Sequence, residues 1–481
     1  MTSIVNDPFF ILVLSLVIVI GSIIWLRIGA FFALLLGATS ASVWNALRGE
    51  GFPDLTGAVT AVADATGSTA GRIALLIIFG ALIGKLMTDN GSADRIVLAC
   101  LRLFGSKRAP IALTSGAFIL SIPVFYDATF YLLLPLAKSL YRSVRRNYVL
   151  YLLAVGLGAT ISHTVIPPTP GPIVVADTLG VPLNVAMGVG LAVGICLCPV
   201  ALAIAWLMNR ILPHPVILQE VADELAAEEK DDPASSAPLP RAEDLPALAL
   251  ALAPIVVPVA LIALASILSL DSVGERLGAR CPAFVETAKF LGSANVALGV
   301  AAVVAATTSL TSRKRPTSRS ALSQKISAAL TMAGSIVLIT SMGGAYGAML
   351  RETGIGARIQ EIFIEHSLSG VWALVVAFVA TAALKTAQGS STTAMITSSS
   401  IFAAMGLTGE TLGCNPAYLV ATIGVGSSVA SWMNDSGFCV FSRSSGVSEV
   451  DSLKVWTLGT GLLGCCGFAI ILALSRVFPF V

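Results

Sequence analysis

Charged side chains are scarce in this chain of 481 residues. Asp, Glu, Lys and Arg make up 12% of it, whereas hydrophobic residues make up 56%. Soluble domains carry roughly 25% charged residues, so the composition excludes an ordinary soluble protein. The formal net charge is only +2, which gives no indication of a nucleic-acid partner. The composition therefore predicts an all-α polytopic membrane protein whose surroundings are the lipid bilayer.

Motifs of metal sites and of intramembrane enzymes are also missing. The chain has three histidines and no His-Glu-x-x-His, and no Gly-x-Ser-x-Gly lies within an apolar run. The eight cysteines show neither a zinc spacing nor a disulfide framework. We therefore expect no enzyme activity, no metal and no organic cofactor.

Long apolar runs, by contrast, recur along the whole chain. A membrane-spanning helix needs about 20 apolar residues. Because no basic segment or cleavage site marks the N-terminus, the first run is interpreted as a retained helix rather than a signal peptide. The predicted spans are 8–26, 28–47, 72–88, 148–180, 184–209, 245–270, 291–311, 326–350, 415–445 and 454–478.

Four apolar segments are interrupted by polar or proline-containing residues. Segments 110–141 and 371–406 are too long for one pass and are predicted to be re-entrant hairpins. Segments 148–180 and 415–445 are predicted to be broken helices, the first because the prolines within 167–172 cannot continue a helix. In lipid, such breaks are tolerated only where protein or a wet cavity satisfies the freed backbone groups. Matching breaks in two halves of a chain indicate a transporter binding site near the membrane midplane.

The two halves of the chain are related in sequence. Block 84–96 aligns with block 347–359 at one constant offset, which also places Gly80 on Gly343. Each block is preceded by an apolar helix and followed by a hairpin and a broken helix. The predicted fold is therefore two inverted repeats of five transmembrane spans plus a re-entrant hairpin each, since an odd number of spans inverts the second repeat.

Charge and composition set the predicted domain boundaries and orientation. Residues 1–215 are assigned to the first repeat and 245–481 to the second, with the acidic segment 216–244 as a cytoplasmic linker. Basic residues gather at the ends of the first hairpin and in loop 313–319, so the positive-inside rule places both in the cytoplasm. Counting spans from there puts both termini outside, with the first hairpin opening inward and the second outward.

The polar residues of the four interrupted elements form the predicted substrate site. Helix ends at a midplane break present free N–H groups and partial positive charge, which favour an anion. Hydroxyl groups suit a polyhydroxylated substrate, which needs many donors and acceptors. The predicted substrate-binding residues are Tyr126, Asp127, Ser162, His163, Thr169, Gly171, Gln388, Gly389, Ser390, Ser391, Thr392, Asn434, Asp435 and Ser436.

Ionisable groups among these residues are candidates for moving a proton. Asp127, Asp435 and His163 are predicted proton-coupling residues, because an ionisable group inside the membrane is costly and usually functional. The alternative is that the aspartates only cap half-helices and that His163 is a hydrogen-bonded core residue. Lys385 either attracts a carboxylate or extends its charge to the surface. Trp432 packs either on the substrate or within the protein.

These segments resemble the gluconate permease (GntP) family of the ion transporter superfamily. The matching stretches lie in both halves of the chain, at 122–127, 132–136, 162–172, 387–392 and 434–438. The resemblance implies a transporter of a bacterial-type inner membrane that imports a small anionic hydroxycarboxylate, such as gluconate, by proton symport. It also implies an elevator mechanism and a homodimer.

The chain departs from the family pattern at three positions. The family more often has Glu at Asp127, His at Trp432 and Arg at Lys385. A shorter acid and a bulky indole near the site favour a substrate smaller than gluconate.

Alternative functions differ in coupling ion, substrate or class. One alternative is that this chain is a carrier of the same fold that couples to Na⁺, or that transports D-serine or glycerate. Against Na⁺ coupling, the hairpin tips lack the Ser-Asn-Thr type of signature expected for Na⁺. A passive channel fits poorly with inverted repeats. An intramembrane enzyme is disfavoured by the missing motifs.

Overall fold

The computed structural model describes residues 7–212, 245–268, 281–311, 319–355, 358, 361, 370–433 and 435–480, apart from 27, 50–53, 106, 107 and 145. The predicted linker 216–244, most of the basic loop 313–319 and the predicted site residue Asn434 therefore lie outside the described residues.

The described residues of the first half form a series of helices separated by short turns. They are α1 (Pro8–Ile24), α2 (Ala30–Leu47), α3 (Leu55–Asp89), α4 (Ser92–Phe104), α5 (Ala109–Leu120), α6 (Tyr126–Val144), α7 (Tyr148–Val165), α8 (Pro170–Thr178) and α9 (Leu183–Ile211).

The same order of long helix, helix pair and interrupted helix recurs in the second half. Its helices are α10 (Leu248–Ile267), α11 (Pro282–Leu291), α12 (Ala294–Thr311), α13 (Arg319–Glu352), α14 (Gly370–Gln388), α15 (Ser391–Ala404), α16 (Gly409–Leu412), α17 (Ala417–Gly426), α18 (Ser436–Ser445) and α19 (Glu449–Val477), with a π-helical turn at Leu453–Thr457 in α19.

Within the described residues, eight helices are long and apolar enough to cross a membrane, or nine if the pair α11 and α12, bent by 70°, counts as one span. The sequence predicted ten spans. The counts differ because α1 ends at Ile24 after 17 residues, and because the second broken span consists of two helices of 10 residues each. Conversely, α14, an arm of the second predicted hairpin, is itself long enough to cross.

Several boundaries also differ from the prediction. Helix α3 begins at Leu55 rather than near residue 72 and has 35 residues. Its start is fixed by Asp54, whose Oδ1 accepts a hydrogen bond from the Gly57 N–H at 2.6 Å. Hydropathy detects only the apolar part of such a helix, whereas capping residues mark where the helix begins.

The first break is narrower than the proline cluster suggested. Helix α7 continues through His163 to Val165, and α8 begins at Pro170, so the interruption covers only 166–169. Pro170, Gly171 and Pro172 thus lie in the first turn of α8. Proline is tolerated there, because the N–H groups of a first turn have no partner within the helix.

The helices pack as two groups. The first helix group consists of α1, α2, α3, α10, α12 and α13; the second helix group consists of α5–α9, α14, α15 and α17–α19. The groups meet chiefly where α3 and α13 contact α8 and α15. In the most apolar 18-residue stretch of the interrupted helix formed by α7 and α8, 94% of the residues are buried inside the protein, which is where an interrupted membrane helix is tolerated.

Candidate functional site

A cavity of about 450 Å³ lies where the two hairpins and the two interrupted helices meet. Its wall combines the starts of α6, α15 and α18, the last turns of α7, and residues of α19. Residues of α3 and α13 of the first helix group also line the cavity. This volume is sufficient for one small molecule.

The first hairpin places an acidic side chain in the cavity wall. Its arms α5 and α6 are held together at the tip by the Ser121 hydroxyl, which donates to Thr129 Oγ1 at 3.0 Å. Tyr126 and Asp127 follow the tip in the first turn of α6, and both line the cavity. The Tyr126 ring packs 5.6 Å from the Trp456 ring. Asp127 is half-buried and has no ion-pair partner within the described part of the chain, so its carboxyl group is available to a ligand or a proton.

The first interrupted helix contributes an imidazole. His163 lies in the last turn of α7, lines the cavity, and faces the Phe125 ring edge-on at 6.4 Å. Its Nδ1 is buried and has no hydrogen-bond partner among the described residues. Thr160 and Thr164 line the cavity on the same face of α7, because residues three and four apart on a helix lie side by side.

The second hairpin presents a helix start to the cavity. Gly389 has φ +73°, a conformation that glycine adopts readily, and it turns the chain between α14 and α15. Ser390 caps α15 by accepting from the Thr393 N–H at 3.2 Å. The Ser391 hydroxyl donates to the Ser427 carbonyl at 2.8 Å and so joins the hairpin to the second break. Since the start of α15 lines the cavity, its unpaired N–H groups favour an anion there.

The second break is organised by a buried ion pair. Asp435 caps α18, and its Oδ2 lies 2.6 Å from Lys385 Nζ. The Lys385 side chain is 1% exposed and that of Asp435 is 9% exposed. The Ser431 hydroxyl donates to Asp435 and accepts from the Trp456 indole N–H. Asp435 is therefore both a helix cap and an ion-pair partner, and its predicted role in proton coupling stays a prediction.

The structure brings most of the described predicted residues together at one cavity. The predicted residues that line it are Tyr126, Asp127, His163, Ser390, Ser391, Thr392, Asp435 and Ser436.

Five other predicted residues lie behind the cavity wall. Ser162 donates to the Phe118 carbonyl at 2.5 Å, and Thr169 donates to the Ile166 carbonyl at 2.7 Å. The backbone of Gly171 packs directly against the Met395 side chain. Their hydrogen bonds and contacts are within the protein, so these residues shape the break. Gln388 and Gly389 also lie outside the wall, although the buried Gln388 amide has no hydrogen-bond partner in the described chain.

Several residues that line the cavity are not among the predicted substrate-binding residues. They are Lys85, Thr88, Thr160, Thr164, Ser428, Ser431, Trp456 and Thr460. The one-turn spacing of Thr160, His163 and Thr164 was a usable signal, because it puts three polar side chains on one face of an apolar helix. Trp456 gave no such signal, since it lies in an apolar run.

The tryptophan near the site is not the expected one. Trp432 is 38% exposed, and its indole N–H donates to the Thr386 carbonyl at 2.8 Å, away from the cavity. Trp456 lines the cavity instead and stacks on Phe441 at 4.9 Å. The inference of a smaller substrate therefore loses the support that it drew from Trp432.

Spanning helices around a cavity that is lined by hydroxyl and ionisable side chains, with interrupted helices in its wall, define a polytopic membrane transporter. The solved structure of the YdaH transporter from Alcanivorax borkumensis has a similar fold, with a TM-score of 0.63 at 15% identity over 93% of this chain and 98% of that one.

The chain belongs to the GntP family of permeases, since the model of that family matches residues 8–477. A high-affinity gluconate transporter of Escherichia coli (strain K12) is 28% identical over 98% of this chain and 100% of its own length. The Gnt-II system L-idonate transporter of the same organism is 27% identical over 98% and 99%. The protein is thus a multi-pass membrane permease and not an enzyme, as the sequence predicted.

Proposed function

We propose that this permease imports a small hydroxycarboxylate of the gluconate type together with a proton. The observation that carries the proposal is the cavity itself, in which hydroxyl side chains and a helix start surround Asp127. Hydroxyl groups match a polyhydroxylated chain, and the helix start matches a carboxylate. Relatives named as gluconate and L-idonate transporters support the same substrate class.

Asp127 is the proposed proton carrier. Two negative charges in one small cavity repel each other, so an anionic substrate and an ionised Asp127 oppose each other's binding. Protonation of Asp127 removes the repulsion, and substrate and proton then move together. Asp435 is less suited to this role, because Lys385 already neutralises it. His163, whose Nδ1 has no partner among the described residues, is proposed to hydrogen-bond the substrate or pass the proton.

We further propose that the two repeats are inverted and that the second helix group moves past the first. Gly84 and Gly347 occupy equivalent positions in the two aligned sequence blocks, and they support this proposal because they contact different parts of their hairpins. A Cβ on Gly84 of α3 would come within 2.6 Å of the Pro123 carbonyl oxygen, at the first hairpin tip. A Cβ on Gly347 of α13 would meet Ser400 at 2.9 Å. Ser400 lies ten residues beyond the second tip at Ser390, about 15 Å along a helix.

The unequal contacts correspond to one end of an elevator movement. In the opposite state, Gly347 would face the second tip and Gly84 would face the part of α6 that corresponds to Ser400. That part of α6 is uncovered here: Tyr131 is 54% exposed and Pro135 is exposed as well. A displacement of about 15 Å, the length of ten helical residues, exchanges the two sets of contacts. By the charge-based orientation, the present state opens to the cytoplasm.

Uptake into proteoliposomes tests the function. Under an imposed inward pH gradient, labelled gluconate should accumulate above its external concentration, and an uncoupler should abolish accumulation. Glycerate and D-serine in the same assay define the substrate range. Accumulation of substrate driven by a Na⁺ gradient alone would show that the coupling ion is Na⁺ instead of a proton. Equilibration of substrate without accumulation would favour a channel.

A further inference from the structure

One basic side chain enters the cavity from the first helix group. Lys85 on α3 lines the cavity beside Gly84 and Thr88. Its side chain is 39% exposed, so its ammonium group is reachable from water. Among the described residues of the cavity wall, Lys85 is the one lysine or arginine.

The other lysine near the cavity is not available to a ligand. Lys385 is 1% exposed, is absent from the cavity wall, and lies 2.6 Å from the carboxylate of Asp435. Recruiting Lys385 to a substrate would leave Asp435 as a buried charge without its cation, which is strongly unfavourable. A substrate carboxylate therefore finds its cation on the opposite wall.

Lys85 can turn to a ligand without leaving a charge unpaired. It lies 3.1 Å from Asp89, one turn further along α3. Asp89 is also 3.5 Å from Lys325 of α13. When Lys85 contacts an anion, Lys325 still neutralises Asp89. Both ion pairs are partly exposed to solvent, so an exchange of partners costs little free energy.

We infer that in the present state Lys85, together with the start of α15, forms the carboxylate subsite for the transported anion, while the hydroxyl groups of the second helix group bind the polyol part. This inference rests on the proposed function and deepens it, because it adds a cation of the first helix group to the carboxylate end of the substrate. An ammonium group that binds carboxylate adds a charge-assisted hydrogen bond, which a neutral ligand cannot form with equal strength.

Binding of a matched ligand pair to the purified full-length protein tests the assignment. Gluconate and its uncharged analogue gluconamide carry the same hydroxyl groups. In Lys85→Gln, gluconate affinity measured by titration calorimetry should fall at least about tenfold, the scale of one charge-assisted bond. Gluconamide affinity should stay within about twofold of wild type, since its hydroxyl contacts are unchanged. Lys85→Arg should restore gluconate binding.

A second lysine provides the control. Lys454 pairs with Asp451 at 3.1 Å, is 53% exposed, and does not line the cavity, so Lys454→Gln should bind both ligands as the wild type does. Unchanged gluconate affinity in Lys85→Gln would overturn this inference but not the proposed function. An equal loss of affinity for gluconate and gluconamide would have the same consequence. A wild type that binds no hydroxycarboxylate would overturn the proposed function and this inference with it.

Discussion

Lys385 Nζ lies 2.6 Å from Asp435 Oδ2, and this ion pair joins the second hairpin to the second interrupted helix. Both side chains are almost fully buried. Asp435 also caps α18 through the Gly437 N–H. One carboxylate therefore fixes two of the four elements that surround the cavity.

Lys385→Met removes the cation and leaves the Asp435 carboxylate buried. We expect the free energy of unfolding to fall by about 3–5 kcal/mol, the usual cost of breaking one side of a buried pair. Thermal unfolding of the purified protein measures it. The double variant Lys385→Met/Asp435→Asn carries no charge at this position and should recover most of the loss, since Asn still caps α18. A single variant as stable as the wild type would show that Asp435 does not depend on Lys385.

Asp127→Asn removes the proposed proton carrier but keeps the shape of the side chain. It should abolish accumulation driven by a pH gradient while retaining exchange of labelled for unlabelled substrate, because exchange needs no net proton movement. Asp127→Glu is the matched control and should keep accumulation. Proton-driven accumulation in Asp127→Asn at the wild-type level would exclude Asp127 as the carrier.

Disulfide cross-linking tests the proposed movement. In this state Gly80 faces the Pro168 carbonyl, whereas its counterpart Gly343 faces Ile396. Ile396 is the sixth residue of α15 and Tyr131 is the sixth of α6. Gly80→Cys with Tyr131→Cys, in a background without the native cysteines, should therefore cross-link in the opposite state and block transport.

A pair within the first hairpin controls that experiment. The Ser121 and Thr129 hydroxyl oxygens are 3.0 Å apart, so cysteines at these positions should cross-link in every state. If this pair reacts and the Gly80–Tyr131 pair never does, the movement of about 15 Å expected from ten helical residues is wrong.

Two tryptophans provide a matched comparison at the site. Trp456→Phe keeps an aromatic ring beside Tyr126 but removes the indole N–H that holds Ser431. We expect the KM for substrate to rise about fivefold to tenfold, the effect of losing about one neutral hydrogen bond. Trp432→Phe, outside the cavity, should leave KM unchanged. Equal KM values in wild type and Trp456→Phe would remove Trp456 from the binding site.

The interrupted segments could be predicted from the sequence because proline, glycine and serine clusters stand out within apolar runs. The class of protein and its family followed from the same clusters. The exact break could not be read from the prolines, because Pro170 and Pro172 begin α8 instead of ending α7. A proline has opposite effects in the first turn and in the interior of a helix.

The side-chain contacts between distant helices could not be predicted, because they depend on tertiary packing. Nothing in the sequence pairs Lys385 with Asp435, which lie far apart in the chain. Lys85 lies in the apolar helix α3. It lines the cavity because α3 packs against the tip of the first hairpin. Residues that act through local chemistry were predictable, and those that act through contacts between helices distant in the chain were not.

Measurement of proton flux tests most directly whether a proton enters together with the substrate. Gluconate is added to proteoliposomes in weakly buffered medium without sodium, and external pH is recorded together with uptake of the label. Proton coupling through Asp127 predicts that the medium becomes more alkaline as gluconate enters, and that Asp127→Asn shows no such change. Gluconate accumulation with no movement of protons would contradict it.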